Sequence, residues 1–152
     1  MSRFIGQLIL APNHDERLAR IQEQFLYSSD VLGFTLTIPK GFLTDGASVP
    51  RLFWNLIPPW GDYGPAAIVH DYLYRWQKTP KAIADKVLLE GMWVLGCQVA
   101  TYSVIYLAVH WFGGHAWKED ANKPLSLEEL APNRDCIYKP PQLDAFGFDR
   151  QG

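Results

Sequence analysis

The chain has 152 residues, 48% of them hydrophobic and 14% aromatic, with six Trp. That length suits one domain able to bury about two thirds of its unfolded surface without metals or disulfides. Its 14 basic and 16 acidic side chains leave a net charge of −2, and no Lys or Arg run could follow a phosphate backbone, which argues against nucleic acid as a partner.

The N-terminus, Met1-Ser2-Arg3-Phe4-Ile5-Gly6, lacks the basic start, long apolar run and small-residue cleavage site of a secretion signal. Three short strands are then predicted at Leu8-Ile9-Leu10, Gln24-Phe25-Leu26-Tyr27 and Phe34-Thr35-Leu36-Thr37-Ile38, separated by turn-forming residues. The third is the clearest, with Phe34, Leu36 and Ile38 on one face and Thr35 and Thr37 on the other. Pro39-Lys40-Gly41 turns the chain, and Phe42-Leu43 leads into Thr44-Asp45-Gly46-Ala47-Ser48-Val49-Pro50, a polar loop of the kind that carries function on a rigid scaffold.

The remainder reads as helical. Pro50 can open a short helix through Arg51-Leu52-Phe53-Trp54-Asn55-Leu56, stopped by Pro58-Pro59, and Pro65 suits the first turn of a helix reaching about Trp76. Thr79-Pro80 offers a cap and a first-turn proline for a helix over residues 82–95. Residues 98–112 predict a fourth helix, which Gly113-Gly114 ends. No Asp, Glu, Lys or Arg occurs in residues 91–117. Polar interruptions keep this segment short of the roughly 20 continuous apolar residues a bilayer span requires, so a buried central helix is expected. Cys97 in this segment and Cys136 in the polar tail read as two reduced thiols. Ser126 and Glu129 have capping-box spacing for a short helix at residues 127–130. The expected fold is α+β: short N-terminal β-strands followed by a bundle of three to four helices. Residues 1–152 form a single domain in this reading, with 118–152 a polar, partly extended C-terminal tail.

On a helix starting at Pro65, His70 and Tyr74 stack on one face, while Asp71 points about 100° round the axis. Asp85 sits among Ala82, Leu88, Leu89 and Met92 on an apolar stripe, where an ionised carboxylate must be paired or cost several kcal/mol. His70 is its best partner, with Tyr74 donating a second hydrogen bond. The pairing would fix the imidazole tautomer and let the other nitrogen take a proton from water, a general-base dyad. Asp71 and Asp45, with backbone carbonyls of Gly61 and Gly64, offer oxygen ligands suited to calcium. Thr44 and its following loop are expected against the helix of His70, with Asp45 near Asp71.

His70-Asp71-Tyr72-Leu73-Tyr74 resembles the His-Asp-x-x-Tyr helix of secreted and parvoviral phospholipase A2 enzymes, and the Ala66-Ala67 lead-in and Ala84-Asp85 look most like the parvoviral version. The resemblance implies His70 as the residue that activates water, Asp71 as a calcium ligand, and Tyr74 and Asp85 as braces of His70. In that family the glycine-rich calcium loop stands further upstream than Gly61 to Gly64 does here. A wider pattern, Gly41-Phe42-Leu43-Thr44-Asp45-Gly46-Ala47-Ser48-Val49-Pro50, then His70 to Tyr74, then Ala84-Asp85, is similar to an uncharacterised family of small phage and prophage proteins, and implies a phage context without an activity.

Plainer readings stand beside these. His70 can be a core histidine bonded to Asp85 for structure alone, and Asp45 can merely cap the turn at Gly46. Ser48 lacks a sequence-local base and is a poor nucleophile candidate. His110 and His115 are too irregularly spaced for one helical face, though zinc held by His70, Asp71 and His110 remains open. Trp93, Tyr102, Tyr106, Trp111 and Phe112 suit core packing or a seat for acyl chains. The expected function is that of a phage-associated, metal-dependent hydrolase, first a phospholipase-like esterase. The alternatives are a zinc-dependent cell-wall hydrolase and a non-catalytic virion or tail protein. Calcium is the expected cofactor, with zinc as the alternative. Expected partners are phospholipid or another cell-envelope substrate, a membrane touched peripherally, and phage structural proteins. Synthesis in a host cytoplasm, with attachment to the virion, is the expected localisation.

Overall fold

The computed structural model describes residues 1–12, 18–44 and 62–141. Within them, short strands in two small sheets precede a set of helices, the α+β layout expected from sequence. Strands β1 (Arg3–Ile5), β4 (Phe25–Ser29) and β5 (Phe34–Ile38) form one antiparallel sheet in the order β1-β4-β5. Strands β2 (Leu10–Pro12), β3 (Ala19–Ile21) and β6 (Leu43–Thr44) form the second, in the order β2-β3-β6.

The alternation in β5 does what its pattern implies: Leu36 and Ile38 are buried and Thr35 is exposed. Tyr27 pairs with both Phe4 and Leu36 in register, and the Phe4 and Tyr27 rings stand 4.4 Å apart. The β4–β5 turn closes on Gly33 at φ 78°, a left-handed conformation that favours glycine, whose N–H donates to the Ser29 carbonyl. Strands β1 and β3 have no counterpart among the predicted elements. Each is three residues long, too short to display a period, and exists through the partner that pairs with it.

Helix α1 spans Gly64–Trp76 with Pro65 in its first turn, and Gln77 ends it at φ 52° while donating its N–H to the Leu73 carbonyl. Helix α2 spans Lys81–Val94 and is capped by Pro80 in an extended conformation rather than by Thr79. The Thr79 hydroxyl is buried without a hydrogen-bond partner among the described residues. Helix α3 spans Val99–Phe112, and α4 (Gly114–Asp120) follows it at once, so only Gly113 separates the two helices and the Gly113-Gly114 pair does not return the chain to coil. Helix α5 (Leu127–Leu130) carries the expected capping box between Ser126 and Glu129 and runs into a 3₁₀ turn, Ala131–Asn133. The helix expected at residues 51–56 lies outside the described residues.

The central helix is α1, not α3. Every residue of α1 except Pro65 and Arg75 is buried. One side packs with Phe25, Leu36, Ile38 and Phe42 from the strand region, and the other with Leu88, Met92, Ile105 and Val109 from α2 and α3. Helix α3 buries only Ile105, Ala108 and Val109, and leaves Val99, Leu107 and Trp111 exposed. Apolar composition marks α3 as the more hydrophobic segment, but the number of neighbouring layers decides burial, and among the described residues α3 has neighbours on one side.

Antiparallel packing of α1 on α2 follows from their contacts, since Ala66 meets Gly91 at one end and Tyr74 meets Asp85 near the other. A Cβ added at Gly91 would sit 2.8 Å from the Ala66 Cβ, so this glycine sets how closely the helices approach. Gly91→Ala is expected to destabilise the fold by about 1–3 kcal/mol, the usual cost of overpacking, read as a lower urea midpoint with an unchanged slope.

Glu90 ties the same helix to the first sheet. Its carboxylate accepts hydrogen bonds from Ser2 Oγ, Tyr27 Oη, Ser29 Oγ and the Val31 N–H at 2.6–3.0 Å. Near the other end of the chain, buried Asn133 takes the Thr37 N–H and donates to the Thr37 carbonyl and Tyr72 Oη, which fastens part of residues 118–141 to β5 and α1. These two hubs hold α1 between sheet and helices and so fix the direction in which its polar side chains point.

Candidate functional site

His70 and Tyr74 lie one turn apart on the face of α1 that meets α2, and both reach Asp85. His70 Nε2 stands 2.9 Å from Asp85 Oδ1, and Tyr74 Oη donates to the same oxygen at 2.7 Å. The imidazole and phenol rings are 4.1 Å apart and tilted by 45°, so the tyrosine braces the histidine by packing as well as through the shared acceptor. His70 is 2% exposed and Asp85 0%. In so dry a site a single unpaired charge would cost several kcal/mol.

The balancing charge comes from Lys81, one turn before Asp85 on α2. Lys81 Nζ donates to Asp85 Oδ2 at 2.7 Å and to the carbonyls of Val109 and His110 at 2.8 and 3.3 Å. An ammonium at the end of α3 also meets the negative end of that helix dipole. With Lys81 supplying the cation, the His70–Asp85 bond needs only a neutral imidazole donating from Nε2. Burial alone would raise the Asp85 carboxyl, but the hydrogen bonds from His70, Lys81 and Tyr74 outweigh it and hold the group below the usual carboxylate range. Burial and the Asp85 hydrogen bond push the Tyr74 phenol above its ordinary value, so it stays a donor. Lys81 was not singled out from sequence, although its four-residue spacing from Asp85 on one helix is the signal for such a pair.

Asp71 points elsewhere. It is buried against the second sheet, where Thr44 Oγ1 donates to its Oδ2 at 2.7 Å. The expected approach of Thr44 to the helix of His70 is thus present, while Asp45, Ser48 and Gly61 lie outside the described residues. Gly64 is the first residue of α1 and is buried. Among the described residues no three His, Cys, Asp or Glu side chains converge as metal ligands do. His110 is exposed on α3, stacked on Tyr106, and His115 is exposed and paired with Glu119, so neither joins His70 and Asp71 in a zinc cluster. A separate cavity of about 610 Å³ borders Glu90, Trp93 and Val94, at the far end of α2 from Asp85.

Gly113 closes the back of the cluster. A Cβ there would sit 2.7 Å from Tyr74 Oη and would also collide with the Val109 carbonyl oxygen. Gly113→Ala is therefore expected to push Tyr74 away from Asp85 and to cost about 1–3 kcal/mol as an overpacked site. Thermal denaturation, together with the near-ultraviolet signal of Tyr74 packed edge-on against Trp117 at 5.1 Å, would report both effects.

Comparison with known proteins places this cluster in a wider context. The model of a family described as "Protein of unknown function (DUF1353)" matches residues 19–109, which include Thr44, His70, Asp71, Tyr74, Lys81 and Asp85. An uncharacterized protein, y4jT, of Sinorhizobium fredii (strain NBRC 101917 / NGR234) is 30% identical over 86 residues, or 55% of this chain and 26% of that protein. The chain thus matches about a quarter of the length of this curated relative. No solved structure matches. No helix among the described residues is long and apolar enough to cross a membrane.

Proposed function

The chain belongs to the family described as "Protein of unknown function (DUF1353)", and from that premise we propose that it is a hydrolase in which His70 activates water against an ester, phospholipid being the first substrate to test. The observation that carries the reading is the fully buried carboxylate of Asp85, bound at once by His70, Tyr74 and Lys81.

The proposed chemistry uses His70 as a general base. Asp85 holds Nε2 as the protonated nitrogen, which leaves Nδ1 as the basic nitrogen of the ring. As water attacks the ester carbonyl, Nδ1 takes its proton, and the ionised Asp85 stabilises the imidazolium that forms. The same proton passes to the alcohol oxygen as the acyl–oxygen bond breaks, so the ring returns to its starting state. Tyr74 and Lys81 are positioning residues: they hold Asp85 and touch no reacting atom.

Calcium, with zinc as the alternative, enters the proposal through Asp71. The described donors do not by themselves make a metal site, so no step is routed through a metal. The phage setting, attachment to a virion and peripheral contact with a membrane belong to the same proposal. The near-complete burial of His70 and Asp85 favours a second reading, in which the cluster is a fold determinant of a non-catalytic structural protein.

The test is release of fatty acid from mixed phospholipid vesicles by the purified chain, with calcium, with zinc and with chelator. Hydrolysis abolished by chelator and restored by one metal supports the enzyme and identifies the ion. No hydrolysis under any condition removes the phospholipase reading, and failure on peptidoglycan as well would leave the structural one.

A further inference from the structure

We infer that the outward face of α3 is a lipid-binding surface that seats the protein on an uncharged or zwitterionic membrane, an inference that rests on the reading of the site as a lipid-ester hydrolase. Three observations carry it. Val99, Leu107 and Trp111 are 66%, 47% and 70% exposed on a helix that turns Ile105, Ala108 and Val109 inward. Exposed apolar surface of this kind marks a contact surface rather than ordinary solvated protein.

The chemistry of the face fits lipid. Residues 91–117 contain no Asp, Glu, Lys or Arg, so the face, which also carries the exposed imidazole of His110, offers no carboxylate, ammonium or guanidinium to select a charged protein partner or an anionic headgroup. At 14 residues it is about 21 Å long, too short to span, and no described helix meets the requirement for crossing. It can lie in the plane of the interface, where a Trp indole is at home between acyl chains and headgroups.

Position decides between lipid and a second copy of the chain. The last turn of α3 touches the polar cluster directly, through Lys81 bonded to the Val109 and His110 carbonyls and through Gly113 close against Tyr74. A protein partner on this face would also cover the edge of the site. A lipid surface would cover the face and present the substrate to the site together.

The experiment is vesicle flotation with phosphatidylcholine at low and high salt. It uses the wild type, His70→Ala to remove turnover, and Leu107→Asp, Trp111→Asp and Trp111→Ser. Wild type and His70→Ala should float equally and independently of salt, because no ion pairing is involved. Each Asp variant should lower the bound fraction by about ten-fold or more. Trp111→Ser should lower it less, which provides a readout without a buried or introduced charge, and circular dichroism checks that each variant is folded. Wild type that stays unbound, Asp variants that bind as wild type does, or a solution dimer broken by Leu107→Asp would each overturn the inference. Binding without hydrolysis would sink the proposed activity and leave the lipid surface. Hydrolysis of a soluble ester without vesicle binding would do the reverse.

Discussion

His70→Ala is expected to lower ester turnover by about two to four orders of magnitude, the usual contribution of a positioned general base, while the protein remains folded. The substituted side chain leaves Asp85 with Tyr74 and Lys81 still bound to it, so the buried carboxylate keeps both a cation and a hydrogen-bond donor. His70→Gln is the informative companion, since its amide can donate to Asp85 but cannot act as a base near neutral pH. A loss in kcat equal to that in kcat/KM for both variants would place the effect in the transition state rather than in substrate binding. Variants as active as wild type would mean that His70 is a core residue and that any catalysis resides elsewhere.

The largest stability effect should come from Asp85→Ala, at about 3–5 kcal/mol. Removing the acid from a buried ionic cluster leaves its donors desolvated without their shared acceptor, and here Asp85 is shared by His70, Tyr74 and Lys81. Urea unfolding at neutral pH measures the loss. The sign of the pH dependence follows from the depressed Asp85 carboxyl. Its contribution is fully present above the unfolded carboxylate value of about 3.9, and it is lost as pH falls through the lower folded value. Wild type should therefore lose stability in acid with a steeper limb than Asp85→Ala, and the two curves should converge at low pH. Curves that stay parallel through that range would show that the Asp85 charge does not contribute to the fold.

The site was partly legible in the chain. A four-residue spacing puts His70 and Tyr74 on one helical face wherever the helix sits, and an acid on an apolar stripe has to find a donor, which leads to Asp85. The same reasoning could have reached Lys81 from its spacing to Asp85, but an exposed-looking Lys before an apolar run also reads as an ordinary surface charge. What makes it part of the cluster is the end of α3, nearly thirty residues away in sequence, whose carbonyls accept from it.

Local sequence by itself determined where most helices begin and end, the inward face of β5, the Ser126–Glu129 cap and the common face of His70 and Tyr74. Each depends on the backbone geometry of a few neighbouring residues, and that geometry is the same in any surroundings. Only the tertiary structure decided that α1 rather than α3 is the central layer, that Asp71 turns to Thr44 while His70 turns to Asp85, and that Glu90 and Asn133 anchor the sheet to the helices. Those outcomes depend on which surfaces meet across long sequence separations. Apolar composition says how much surface a segment would gain by burying, but not whether a neighbour is there to cover it.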